Sequence, residues 1–241
     1  MTRNLRRPGG ELASRPLHFF WLVDCSGSMY GEKIGSVNHA IQSTIPEMAD
    51  AAMDNPNAQL MVRTLKFSTG ASWVTANPVN IEDFSWDDLD ADGATSLGKA
   101  FELLTGQLTI PPMSDRALPP VIVLLSDGQP TDDYKEPLNK LLNLPWGKKS
   151  VRIAISIGKD ADDDVLQEFT GNRELVLQAN NPETLVKMIK WASTSVIPSV
   201  SAPSSIIDGS SVGVVGGPNA SSVLHLASIP DPFDIGVDDV W

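Results

Sequence analysis

Phe19 to Val23 is an unbroken apolar run that ends in Asp24-Cys25-Ser26-Gly27-Ser28. An apolar run without alternation marks a strand buried on both faces, as in a parallel sheet. Val121–Leu125 repeats the pattern and ends in Ser126-Asp127-Gly128. Elsewhere the period changes. Ile34, Val37, Ile41, Ile45 and Met48 recur at helical spacing, which predicts a helix over 34–53 that Pro46 kinks or splits. Gln59–Phe67 predicts a second strand, and Ala71–Thr75, after a turn at Gly70, a hairpin onto an antiparallel edge strand. Leu97, Ala100, Phe101, Leu104 and Leu108 predict a helix capped by Ser96. A short helix near 134–142, a strand at Val151–Ile157, a helix at Asp162–Phe169 and a strand at Glu174–Leu177 follow. The last helix opens at Asn181-Pro182-Glu183 and runs to about Ala192. This alternation predicts an α/β fold: a doubly wound, mostly parallel central sheet of about six strands, Rossmann-like, with one antiparallel edge strand.

Composition divides the chain into three parts. Residues 1–16 are Arg/Pro/Gly-rich and read as a flexible basic segment, residues 17–194 carry the periodic pattern, and 195–241 form a Ser/Gly/Pro-rich acidic tail. Two apolar pieces, Val212–Val215 and Val223–Ile229, interrupt the tail, and Phe233 and Trp241 are costly to leave in water, so part of it is expected to dock. The formal net charge of −12 argues against a nucleic-acid partner. One cysteine excludes an intrachain disulfide framework and suits a reducing compartment. The charged start has no apolar segment behind it, and no run approaches the roughly 18 apolar residues of a membrane span, so the expected location is cytoplasmic, away from the membrane.

The candidate chemistry lies where the apolar strands end. Open α/β sheets bind ligands beyond the carboxyl ends of their strands, where strand order reverses. Asp24 is expected at the surface end of its strand, facing the same crevice as Asp127. Ser26 and Ser28 share one turn, and Thr95 arrives on the loop Asp92-Gly93-Ala94-Thr95-Ser96. Three hydroxyls and two carboxylates suit a hard cation: Mg²⁺ first, with Mn²⁺ or Ca²⁺ as alternatives. Hydroxyls as direct ligands, with the carboxylates behind water, would leave metal charge for an incoming carboxylate to meet.

Asp24-Cys25-Ser26-Gly27-Ser28 resembles the Asp-x-Ser-x-Ser signature of von Willebrand factor type A (VWA) domains, and Thr95 and Asp127-Gly128 match its second and third elements. The resemblance spans about residues 17–194 and all five positions. It implies a metal-ion-dependent adhesion site in a non-catalytic binding module. By that pattern Ser26, Ser28 and Thr95 contact the metal, Asp24 and Asp127 support it, and a protein partner supplies an Asp or Glu as the last ligand. Asp24–Met29 and Leu125-Ser126-Asp127-Gly128-Gln129-Pro130-Thr131-Asp132 also look like bacterial TerY-type members. That narrower resemblance implies a tellurium-resistance or stress-response system, with phosphatase, kinase or Ter-family proteins as partners. The acidic, aromatic run Asp231–Trp241 could equally bring a carboxylate to the site of its own domain or of another copy.

The rival class is a metal-dependent phosphoesterase. A haloacid-type phosphatase wants a second carboxylate two residues after its nucleophile, where this chain has Ser26. Cys25 reads as a small buried hydrophobe rather than a nucleophile, and neither a dinucleotide fingerprint nor a phosphate loop is present. Asp132-Asp133 either act on the site electrostatically or face water, and Asp162-Asp163-Asp164 read as a helix start. Trp73, Trp146 and Trp191 read as packing or interface residues, and Trp86, in an acidic loop close to Thr95, as the partner-facing rim.

Overall fold

Strand β1 (Arg15–Asp24) runs through the middle of the sheet because nearly every side chain on it is apolar and both of its faces are covered. The computed structural model describes residues 14–127, 129–159, 161–201, 212–215, 223–226 and 229–230. β1 pairs in parallel with β2 (Ala58–Phe67) on one side and β5 (Val121–Ser126) on the other. β6 (Val151–Ile157) and β7 (Val176–Ala179) extend the sheet beyond β5, giving the order β3-β2-β1-β5-β6-β7. Strand order therefore reverses between β1 and β5, and the carboxyl ends of these two strands are where open α/β sheets place a ligand crevice. The outer edge is antiparallel, as expected: β3 (Ala71–Trp73) pairs with one end of β2 and β4 (Val79–Asn80) with the other. β4 has only two residues, too few to show a period, and the sequence pattern misses it.

Alternation along β1 separates two cores. Leu17, Phe19, Trp21 and Val23 face α1 (Glu32–Met53) and α6 (Pro182–Thr194), packing with Val37, Ile41, Met188 and Ile189. Phe20 and Leu22 face the other layer, α2 (Leu97–Gln107), α3 (Lys135–Asn143) and α5 (Asp163–Thr170), with Phe101, Leu104, Leu141 and Phe169. These two layers are the helices on both faces that the alternating pattern predicts.

The boundaries differ in a few places. α1 runs through Pro46 as one helix of 22 residues, so the lost amide does not split it. A short helix, α4 (Pro145–Lys149), starts at a proline where the pattern gives no period. The last strand begins later than Glu174, because the Asn172 side chain accepts from Glu174 N and turns Arg173–Leu175 into a 3-10 helix first. At the amino end, β1 starts at Arg15, whose guanidinium donates to the carbonyls of Arg116 and Ala117, both at 2.8 Å. Residues 1–13 lie outside the described residues.

The stretch expected as tail opens with a further helix, α7 (Val196–Ser201), whose Val196, Ile197 and Val200 are buried in the α1/α6 core. Beyond it the two apolar pieces form an antiparallel pair, β8 (Val212–Val215) and β9 (Val223–Leu226), with β9 beside α7. Ile229 is partly buried against the same core, so part of this stretch docks on the domain. Phe233 and Trp241 fall outside the described residues. No described helix is long and apolar enough to cross a membrane.

A chain ended after Ile197 loses the buried Val200 and the last turn of α7, whereas one ended after Ser201 keeps both. The shorter chain is expected to be less stable by about 2 kcal/mol, roughly 4–8 °C in melting temperature. Differential scanning calorimetry of the two truncations checks this, and equal melting temperatures would show that Val200 and the last turn of α7 contribute nothing to the core.

Candidate functional site

The polar end of β1 is not at the surface. Asp24 is 0% exposed, although the sequence places it at an open strand end. Ser26, on the loop after β1, and Ser126, at the end of β5, both reach its carboxylate. Its Oδ1 accepts from Ser26 N at 2.9 Å and its Oδ2 from Ser126 Oγ at 2.5 Å. Burial pushes the Asp24 carboxyl up to about 6 against these hydrogen bonds, and the Asp127 charge pushes it the same way. A rise of that size corresponds to roughly 3 kcal/mol against the ionised form.

The hydroxyls lie on the loop that leaves β1. Ser26 is buried, Ser28 is exposed within the 3-10 helix Gly27–Met29, and their Oγ atoms are 3.0 Å apart. This loop is tied to the one carrying Thr95: Asp92 N donates to Cys25 O at 2.8 Å and Gly27 N to Gly93 O at 2.9 Å. Gly93 is required there. Its φ is +86°, and a Cβ would lie 2.2 Å from Thr69 Oγ1. Thr95 is buried, and both its backbone polar groups pair with Thr131 on the loop after β5.

Asp127 begins that third loop and is also buried. Its backbone oxygen accepts from Asp162 N at 2.7 Å, but its Oδ1 has no hydrogen-bond partner among the described residues. A buried carboxylate oxygen without a donor is uncommon, and a water or a cation is what ordinarily satisfies one. Among the described residues there is no cluster of three or more His, Cys, Asp or Glu side chains suited to a metal. The donors that could hold a hard cation are thus hydroxyls with two carboxylates: Ser26, Ser28, Thr95, Asp24 and Asp127. Softer metals prefer thiolate or imidazole, which this set does not offer.

Cys25 and Asp162 fall as expected, and Ser96 does not. Cys25 is buried, its thiol pushed up to about 12 by burial and then by the Asp24 charge, as fits a small core residue. Asp162 caps α5, accepting from Asp164 N and Val165 N. Ser96 stands at the N-cap of α2 but makes no side-chain cap bond; Asp132 caps that helix from the neighbouring loop. Asp132 therefore has a structural partner, an alternative the local sequence does not show.

Trp86 is not the partner-facing rim. It is 9% exposed, and its indole donates to Asn38 Oδ1 at 3.2 Å on α1. Asn38 also accepts from Leu89 N and donates to Leu89 O, both at 2.9 Å, pinning the acidic loop inward. The exposed aromatic beside the site is Tyr30, 77% exposed, two residues after Ser28. Its neighbours in the sequence carry no signal separating it from a core aromatic. Trp146 and Trp191 are buried, and Trp73 packs beneath the Arg63 guanidinium at 3.7 Å.

The model for the von Willebrand factor type A domain matches residues 20–191. No curated protein matches the chain in sequence. Among solved structures, the ArnB paralog VWA2 from Sulfolobus acidocaldarius is similar at 19% identity with a TM-score of 0.55, over 73% of this chain and 45% of that one. The pilus adhesin SpaC from Lactobacillus rhamnosus GG, in its open conformation, is similar at 14% identity and TM-score 0.63, over 78% and 31%. Proximal thread matrix protein 1 from the mussel byssus, with a zinc-occupied MIDAS motif, is similar at 15% identity and TM-score 0.54, over 78% and 47%. The matched region thus spans less than half of each of these chains, and the likeness is one of fold.

The buried Asp24 charge has a consequence for the metal-free protein. Its native pKa lies above the unfolded value, so the native state binds the proton more readily, and ionisation at neutral pH costs stability. Asp24→Asn is expected to raise the unfolding free energy by about 2 kcal/mol above pH 6, the relieved cost less one lost hydrogen bond. The gain shrinks as the pH falls through about 6 toward 4, where the native carboxyl is already protonated. Urea unfolding of both proteins in EDTA across this range checks the sign, and a variant less stable at every pH would contradict it.

Proposed function

Because the chain belongs to the von Willebrand factor type A family, we propose that its β1–β5 crevice is a metal-ion-dependent adhesion site that binds a carboxylate of a protein partner. Domains of this family are adhesion and interaction modules rather than catalysts, and this chain is read as one. Ser26, Ser28 and Thr95 would contact the ion, with Asp24 and Asp127 behind them as the balancing carboxylates. Mg²⁺ suits these hard donors best, with Mn²⁺ and Ca²⁺ as alternatives.

The observation that carries the proposal is the unpartnered, buried Oδ1 of Asp127, near a second carboxylate whose ionised form burial disfavours. Two like charges out of water need a cation nearby. The zinc-occupied MIDAS motif of the mussel protein supports the same use of a shared fold. When bound, the ion would supply the positive charge that attracts an anionic ligand. The chain's own residues hold the three loops in register and keep the carboxylates dry. Tyr30 then stands beside Ser28 as the aromatic available to a partner.

Placement in a tellurium-resistance or stress-response system, with phosphatase, kinase or Ter-family partners, rests on the motifs Asp24–Met29 and Leu125–Asp132. The choice of cytoplasm rests on the single cysteine, which suits a reducing compartment. The acidic run Asp231–Trp241, a candidate carboxylate source in this chain or a second copy, lies outside the described residues.

Calorimetric titration with Mg²⁺ and with Mn²⁺ tests the site. One binding event is expected in the wild type, weakened about 10–100-fold by Thr95→Ala and by Asp24→Asn. Asp24→Asn would then bind metal worse while unfolding less readily, a combination that misfolding cannot produce. Unchanged affinity in both variants would remove the proposal. Tyr30→Ala is expected to leave metal affinity unchanged while weakening metal-dependent partner capture by about tenfold. Capture that resists both EDTA and Tyr30→Ala would place the partner surface elsewhere.

A further inference from the structure

Two adjacent residues on the loop after β5 make four hydrogen bonds to the segment that carries Thr95. Thr131 N donates to Thr95 O at 2.8 Å, and Thr131 Oγ1 accepts from Thr95 N at 3.1 Å. Asp132 Oδ1 accepts from Gly98 N at 3.0 Å and Oδ2 from Lys99 N at 3.2 Å. Together they replace what local sequence ordinarily supplies. The first amides of a helix have no intrahelical acceptor, and Ser96 provides none to α2. The fit is close as well: a Cβ on Gly98 would lie 2.3 Å from Asp133 O, so only glycine lets the two segments approach this way.

We propose that Thr131 is a positioning residue of the adhesion site: its hydroxyl, with the Asp132 cap beside it, locks the loop carrying Thr95 to the loop carrying Asp127. This rests on the metal-site reading above. Thr131 is exposed and touches the site only through the Thr95 backbone. The geometry gives it a task that a solvated threonine would not have. A small hard cation demands oxygens at about 2.1 Å in near-octahedral array, so a hydroxyl ligand on a loose loop is of little use. Thr95 and Asp127 lie 32 positions apart in the chain, and the Thr131–Thr95 pair spans that separation with one backbone–backbone bond and one from the Thr95 amide to the Thr131 hydroxyl. Loss of the Thr131 hydroxyl would leave the partly buried Thr95 amide without its acceptor, and the loop would move to find water.

Thr131→Val tests this on the full chain. It keeps the side-chain shape and the backbone bond to Thr95 O while deleting the acceptor. Thr131→Ser restores the hydroxyl. The Mg²⁺ affinity of Thr131→Val is expected to fall about tenfold or more, with Thr131→Ser close to wild type. Amide hydrogen exchange at Thr95 is expected to quicken in Thr131→Val, with the β1 amides unchanged. Wild-type Mg²⁺ affinity in Thr131→Val, or Thr95 exchange no faster than before, overturns the proposal. Absence of Mg²⁺ binding in the wild type itself would instead overturn the metal reading, and the exchange measurement would still decide whether Thr131 holds the loop.

Discussion

Two buried carboxylates at the ends of neighbouring strands, Asp24 and Asp127, are the constraint to which the rest of the structure answers. Neither has a salt-bridge partner among the described residues. Burial and the Asp127 charge both disfavour ionisation of Asp24, and hydrogen bonds from Ser126 and Ser26 oppose this. At Asp127 one oxygen has not even that. The stability of the domain is therefore sensitive to the protonation of Asp24, whose ionised form burial disfavours.

The sheet supplies the rigidity for this arrangement. β1 and β5 are apolar on both faces and packed between two helical layers, so their ends cannot drift apart without opening a core. The loops beyond those ends are then joined by backbone bonds rather than by side-chain packing: Asp92 to Cys25, Gly27 to Gly93, Thr95 to Thr131. Such bonds need close approach, which explains the glycines at 93 and 98, where a side chain would collide with a neighbouring loop. Three pieces of chain distant in sequence thereby behave as one surface.

That surface has a partition of labour between its aromatics. Trp86 is turned inward to brace the acidic loop against α1 through Asn38, while Tyr30 is left in water beside Ser28. An interior indole with a satisfied N–H stabilises a loop, whereas an exposed phenol ring offers apolar area and a polar tip to a partner. The relation is one of burial, and burial depends on what the rest of the chain places overhead.

Much of this was legible in the residues alone. The unbroken apolar runs at 19–23 and 121–125 identify buried parallel strands, because no half-exposed strand tolerates them, and the polar residues that follow mark the candidate site. Helical periodicity locates α1, α2 and α6 for the same reason, since each must hide one face. What only the tertiary structure decided are the features made between segments: the depth of Asp24, which Ser26 and Ser126 reach from two strand ends; the cap of α2, taken from Asp132 rather than Ser96; the inward turn of Trp86; and the helix α7, whose Val200 is buried only because α1 and α6 are there to receive it. Local pattern reports which side chains avoid water. Which partner they find is settled by contacts between residues far apart in the chain, and no window along the sequence contains both.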